Sequence, residues 1–148
     1  MFLGQFQHTI DEKGRLTVPA RFRDLLDGGA YITQGLDQCL VVMTSPSFNR
    51  TLADLTSMNM ADPNARLLRR VILSNAFSIE VDKAGRVLVP QLLRAYAQLE
   101  GEAIVAGQGD YFEIWSPAAW NEQMKQIQDA QANYERFAAL NLGGKKPE

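Results

Sequence analysis

Asp11, Gly14 and Arg15 return as Asp82, Gly85 and Arg86, a constant 71 residues further along the chain. A carboxylate, a glycine and a guanidinium at D-x-x-G-R spacing suit a tight turn that displays a cation. Asp11 and Asp82 can accept backbone N–H bonds and hold such a turn. Gly14 and Gly85 suit a position with φ above zero, which a residue with a Cβ resists. Arg15 and Arg86 then stand just past the turn on a rigid support. Lys13 and Lys83 give each turn a second cation. Two equivalent cationic prongs fit a repetitive anion, and duplex DNA is one. Lys holds phosphates, and Arg bonds bidentately to guanine O6 and N7 in the major groove. The competing reading is an Asp–Arg pair that only ties off a hairpin, although exposed ion pairs contribute little to stability.

The duplication reaches beyond the turns. At the same offset Phe6 matches Phe77, Val18-Pro19 matches Val89-Pro90, Arg23 matches Arg94, and Ser45-Pro46 matches Ser116-Pro117. An internal repeat of this length sets the architecture. Arg23 and Arg94 fall in short helices, where a bond to a carboxylate or a strand end is the favoured role. Arg66, Arg69 and Arg70 have no counterpart in the second half. A solvated helix face, a subunit contact and a phosphate contact all stay open for them.

The elements that position the turns follow from periodicity. Phe6, His8 and Ile10 alternate with polar residues, and Leu16 and Val18 resume the alternation, so residues 5–18 read as a hairpin or as strand–turn–strand. His8 reads as a packed histidine rather than a ligand. A short helix follows from Pro19 to Leu26, burying Phe22, Leu25 and Leu26. Strands are expected at 31–33 and 40–43, then helices at 46–57, capped by Ser45, and 63–73, the latter turning Leu68, Val71 and Ile72 inward. The second copy replays strands at 76–81 and 87–89, a helix at 90–99, and strands at 103–106 and 111–115. Ser116-Pro117 opens a last continuous helix reaching about Asn141, with a loose tail from Gly143. Phe48, Phe112, Trp115 and Trp120 read as core or interface rather than base-stacking platforms.

Composition narrows the functions. A 148-residue chain with 46% hydrophobic content can bury a real core. The net charge of -2 does not advertise nucleic-acid binding, but binding needs only a local basic surface. One His and one Cys cannot build a metal cluster, and no phosphate-binding P-loop occurs. Paired aspartates in a duplicated β unit invite comparison with an aspartic-protease dyad. The D-[ST]-G sequence is absent, however, and an Arg four residues after each Asp disfavours a shared proton. No enzyme and no cofactor are expected. A lone cysteine, no secretory signal and no apolar run of about 20 residues suit a soluble cytoplasmic protein with no membrane partner.

Met1-Phe2-x-Gly4, Asp11-Glu12-Lys13-Gly14-Arg15 before Leu16-x-Val18-Pro19, Asp82-x-x-Gly85-Arg86 and Glu113-Ile114-Trp115 together resemble the MraZ family. The resemblance covers nearly the whole chain. It implies a bacterial transcriptional regulator built from two AbrB/SpoVT-like swapped-hairpin units, binding DNA through Asp11/Arg15 and Asp82/Arg86. It further implies ring-like homo-oligomers, nucleoid association, and short G-rich direct repeats in the promoter of the division and cell-wall gene cluster, which includes the regulator's own gene. Leu3 departs from the pattern, since relatives often carry Arg there, which would remove a peripheral phosphate contact. The expected fold is α+β, a β-rich pseudo-dimer with added helices. Residues 5–47 form the first repeat, 48–75 connecting helices, 76–119 the second repeat, and 120–148 a C-terminal helix and tail. The alternative function is an oligomeric scaffold of the same fold that does not bind DNA, its loop arginines buried in subunit contacts.

Overall fold

The computed structural model describes residues 1–140. The tail expected from Gly143 lies outside the described residues. The first repeat contributes β1 (Gln5–Thr9), β2 (Arg15–Thr17), α1 (Ala20–Arg23) with a 3-10 turn at Asp24–Leu26, β3 (Ala30–Gln34) and β4 (Leu40–Thr44). Helices α2 (Ser45–Thr56) and α3 (Pro63–Leu73) follow. The second repeat supplies β5 (Phe77–Ile79), β6 (Arg86–Leu88), α4 (Gln91–Ala97), β7 (Glu102–Gly107) and β8 (Tyr111–Trp115). Helices α5 (Pro117–Ile127) and α6 (Ala130–Ala138) close the described chain. The fold is α+β, and its packing defines one unit from Met1 to Pro117 and a second from Ala118 onward.

Residues 5–18 take the strand–turn–strand form of the two that alternation allows, not the hairpin. β1 crosses to pair with β7, and β2 pairs with β6 in a separate two-stranded ribbon; only a single bridge, Ile10 with Leu16, joins the two arms. Alternation shows that a segment is a strand but carries no information about its partner. The larger sheet has six strands in the order β1-β7-β8-β4-β3-β5. Exchanging each strand for its repeat counterpart returns the same order reversed, so a pseudo-twofold axis runs between β4 and β8. Each repeat lends its first strand to the other, the arrangement of a swapped-hairpin pseudo-dimer.

The constant offset of 71 also breaks down. β1 sets Phe6 against Val105, while β5 sets Phe77 against Ile32. Phe6 and Phe77 correspond, so Ile32 corresponds to Val105, an offset of 73. Ile32 faces Val42 and Val105 faces Ile114, which returns the offset to 72 for β4 and β8. The burial patterns agree with this shift. Ser45-Pro46 and Ser116-Pro117 are therefore one residue out of equivalence. Thr44, rather than Ser45, caps α2, its hydroxyl accepting from the Ser47 N–H at 3.3 Å.

Both repeats fill one core. Leu16, Val18, Val87 and Val89 are fully buried between the ribbon and the large sheet, with Phe22 and Leu93 beneath them. Phe2 packs edge-on against Phe22 and Phe112, with ring centroids 5.0 and 5.3 Å away, which explains an aromatic residue at the second position. Phe48, Phe112, Trp115 and Trp120 are all buried. Leu25 is not: it is 40% exposed, because α1 ends after one turn and the tighter 3-10 path rotates it outward. Leu68, Val71 and Ile72 of α3 are only half-buried. The last helix is not continuous either. It breaks before Asp129, whose carboxylate accepts from the Ala132 N–H at 3.2 Å and caps α6 afresh. Asn133 Nδ2 donates back to the Gln126 carbonyl at 2.7 Å, satisfying the end of α5.

Candidate functional site

Each D-x-x-G-R turn is built by its aspartate. Asp11 Oδ1 accepts from the backbone N–H groups of Lys13 at 3.0 Å and Arg15 at 2.8 Å, and Oδ2 accepts from Arg15 Nε at 2.7 Å. Asp82 repeats the pattern with the N–H groups of Ala84 and Arg86, both at 2.9 Å, and Arg86 Nε at 3.2 Å. The turn closes through Gly14 N–H to the Asp11 carbonyl at 2.9 Å and Gly85 N–H to the Asp82 carbonyl at 3.0 Å. The Arg15 backbone N–H is the main influence holding the Asp11 carboxyl below the usual carboxylate range, against a smaller opposing effect of burial. The Arg86 N–H does the same for Asp82. Two carboxylates held in the charged form are the reverse of a proton-sharing dyad.

The glycines meet the expected condition, with φ of +87° at Gly14 and +79° at Gly85. They also carry a second constraint. A Cβ on Gly14 would lie 2.5 Å from Arg94 Nε, and one on Gly85 would lie 2.5 Å from Arg23 Nε. Each turn is thus covered by the guanidinium of the other repeat. Arg23 Nε donates to the Val18 carbonyl at 2.9 Å and Arg94 Nε to the Val89 carbonyl at 3.0 Å, so these arginines bond strand ends. Val18 N–H in turn donates to the Gly85 carbonyl at 2.9 Å, and Val89 N–H to the Gly14 carbonyl at 2.8 Å. The two turns cannot be placed independently.

β2 and β6 then bring the prongs together. Their antiparallel register pairs Arg15 with Leu88, Leu16 with Val87, and Thr17 with Arg86. Leu16 and Val87 point into the core, so alternation turns Arg15, Thr17, Arg86 and Leu88 onto the opposite, solvent-facing side. Arg86 Nη1 approaches Asp11 Oδ2 at 3.8 Å, which places both arginines against one carboxylate oxygen. Each guanidinium is held to its own aspartate through Nε, and the side chains are 36% and 31% exposed. A planar donor oriented through Nε presents its two terminal nitrogens as a fork. Lys13 and Lys83 are exposed at the turn tips.

The eight turn residues singled out from sequence therefore belong to one ribbon, the two turns at its opposite ends and Arg15 and Arg86 brought together on Asp11. Thr17 and Leu88 share their face and were not singled out, although the alternation that positions the arginines also positions residues two further on. Arg66 lies elsewhere: its Nη1 donates to the carbonyls of Met60 at 2.9 Å and Ala61 at 3.3 Å, closing the loop before α3. Cys39 is buried against Glu113, its thiol 3.7 Å from Oε2, and burial followed by that carboxylate pushes its pKa up.

Two intertwined repeats, presenting paired arginine turns on a two-stranded ribbon, define a duplicated swapped-hairpin protein. The chain belongs to the MraZ family. The model for that family, described as "MraZ protein", matches it twice, over residues 1–71 and 72–140. A "Transcriptional regulator MraZ" of Thermomicrobium roseum is 47% identical over 123 residues, covering 83% of this chain and 87% of the relative. Proteins of the same name from Roseiflexus castenholzii and Desulfitobacterium hafniense are 41% and 42% identical, covering 90% and 97% of this chain and 92% and 99% of theirs. Among the described residues, no helix is long and apolar enough to cross a membrane.

Proposed function

We propose that this chain is a DNA-binding transcriptional regulator that reads short G-rich direct repeats through its paired D-x-x-x-R turns. The targets are the promoter of the division and cell-wall gene cluster and, within it, that of its own gene. The observation that carries the reading is the convergence of Arg15 and Arg86 on Asp11 at the solvent face of a rigid ribbon. A B-DNA major groove admits a two-stranded β-ribbon, and an oriented guanidinium fork matches guanine O6 and N7. Lys13 and Lys83 serve the phosphates on either side. Asp11, Gly14, Asp82 and Gly85 shape the turns and hold the forks in place. The names of the relatives point the same way.

Residues 5–47 and 76–119 act as the two reading units, 48–75 as the connecting helices and 120–148 as the C-terminal extension. The working form is a homo-oligomer, a closed ring, acting in the cytoplasm on nucleoid DNA. Exposed Leu67, Leu92, Tyr134 and Phe137 supply apolar surface of the kind subunit contacts use. The test is a gel shift with DNA from upstream of the protein's own gene. Wild type should retard it, and Arg15→Ala should weaken retardation by the ~1–3 kcal/mol of a lost bidentate contact with little change in melting temperature. Unchanged retardation together with a large loss of stability would leave Arg15 as a turn-closing residue only.

A further inference from the structure

The reading face of the ribbon carries four side chains, and only two are arginines. Leu88 stands opposite Arg15, and Thr17 stands opposite Arg86. Thr17 and Leu88 are repeat counterparts, two residues beyond Arg15 and Arg86, so the duplication supplies its own control. One half places a hydroxyl beside its neighbouring arginine and the other an aliphatic side chain. Leu88 is 57% exposed, while Val87 beside it is 1% exposed, so Leu88 adds little to the core. An apolar side chain fixed in water next to a guanidinium fork calls for an apolar partner.

The major groove offers one. Thymine alone displays a C5-methyl there, and apolar side chains recognise it by contact. Directly opposed residues of an antiparallel pair have Cβ atoms about 4.5–5.5 Å apart. Bases along one strand are spaced by about 3.4 Å. Arg15 and Leu88 therefore reach the same base pair or adjacent ones. We infer that Leu88 is a specificity-determining residue whose side chain packs on the methyl of a thymine next to the guanine held by Arg15. Thr17, beside Arg86, bonds or contacts its base pair differently. This rests on the DNA-binding reading above and adds a direction to it: a pseudo-twofold ribbon with unlike residues at one matched pair reads an asymmetric sequence, not a palindrome.

Leu88 also borders a shallow depression with Phe77, Ile79, Glu80 and Pro90, where a second copy of the chain is the rival occupant. The experiment separates the two. The full-length protein selects duplexes from a random-sequence library, and each thymine of the selected site is then replaced singly by uracil, which removes only the methyl. Wild type should lose about fourfold in affinity at one thymine flanking the guanine that Arg15→Ala makes dispensable. Leu88→Ser, which leaves no methyl to meet the thymine, should bind thymine and uracil duplexes alike at that position and sediment as wild type does. A selected site without such a thymine, or tolerance of uracil everywhere while Arg15→Ala still weakens binding, overturns the role of Leu88 and leaves DNA binding standing. Methyl sensitivity retained in Leu88→Ser overturns it too, and altered sedimentation alongside assigns Leu88 to a subunit contact. Failure to select any duplex overturns the DNA-binding reading itself.

Discussion

Arg15 and Arg86 would repel each other on a shared face, and Asp11 lies against both, so one carboxylate offsets part of that repulsion while orienting the forks. The geometry depends on what the turn glycines lack. Gly14 adopts φ of +87°, and a Cβ there would meet Arg94 Nε at 2.5 Å and the Val89 carbonyl at 2.9 Å. Gly101 has a comparable φ of +74° with nothing within 4 Å. Gly101→Ala therefore reports the backbone penalty alone, about 1–2 kcal/mol. Gly14→Ala should lose clearly more in urea unfolding, because Arg94 must also leave the Val89 carbonyl. Equal losses at the two positions would show that the cross-repeat cover is loose. These turn residues were legible in sequence because Asp, Gly and Arg each have a separate local job and are stated twice. The cover by Arg23 and Arg94 was not, since it joins residues from different repeats.

β1 shows how an element's identity can be legible while its placement is not. Alternation marks Gln5–Thr9 as a strand, but the strand is donated to β7 of the other repeat. The offsets of 73 and 72 arise because the repeats differ in length between the first helix and the third strand, and again in the hairpin that follows. Such differences are invisible when apolar residues line up by chance. The break before α6 was readable in principle, since Asp is a favoured N-cap, but unbroken helical periodicity masked it. β1 also carries His8, whose pKa is lowered by partial burial first and by Arg23 second. A lowered histidine pKa means that the unfolded chain binds its proton more readily. His8 should thus support stability above its unfolded value of about 6.5, and that support should fade as pH falls below it. Replacing His8 by Gln should flatten this modest decline in the urea midpoint between about pH 7 and pH 5. Asp11 and Asp82, with lowered carboxyl pKa values, act in a separate window: their contribution is present above about 3.9 and is lost at more acid pH.

An acidic chain that offers one ribbon should bind DNA weakly as a single subunit. A ring that places ribbons of neighbouring subunits along one duplex converts modest contacts into avidity. Repeats about 10 bp apart present the same side of the helix to adjacent subunits. Affinity should climb from one repeat to three and collapse when one spacing is shifted by half a turn, with a steep fall of about 0.9 log units per phosphate per decade of salt. A single repeat bound as tightly as three would exclude cooperative reading. The most direct test of the central claim, that Arg15 reads guanine through a turn built by Asp11, is a thermodynamic cycle on one hydrogen-bond acceptor. Affinity is measured by fluorescence anisotropy for repeats in which single guanines become 7-deazaguanine, with wild type and Arg15→Ala. At the guanine that Arg15 holds, wild type should lose about tenfold, consistent with part of a bidentate contact, and Arg15→Ala should show no further loss. An equal loss in both proteins, or none in wild type at any guanine, would contradict it.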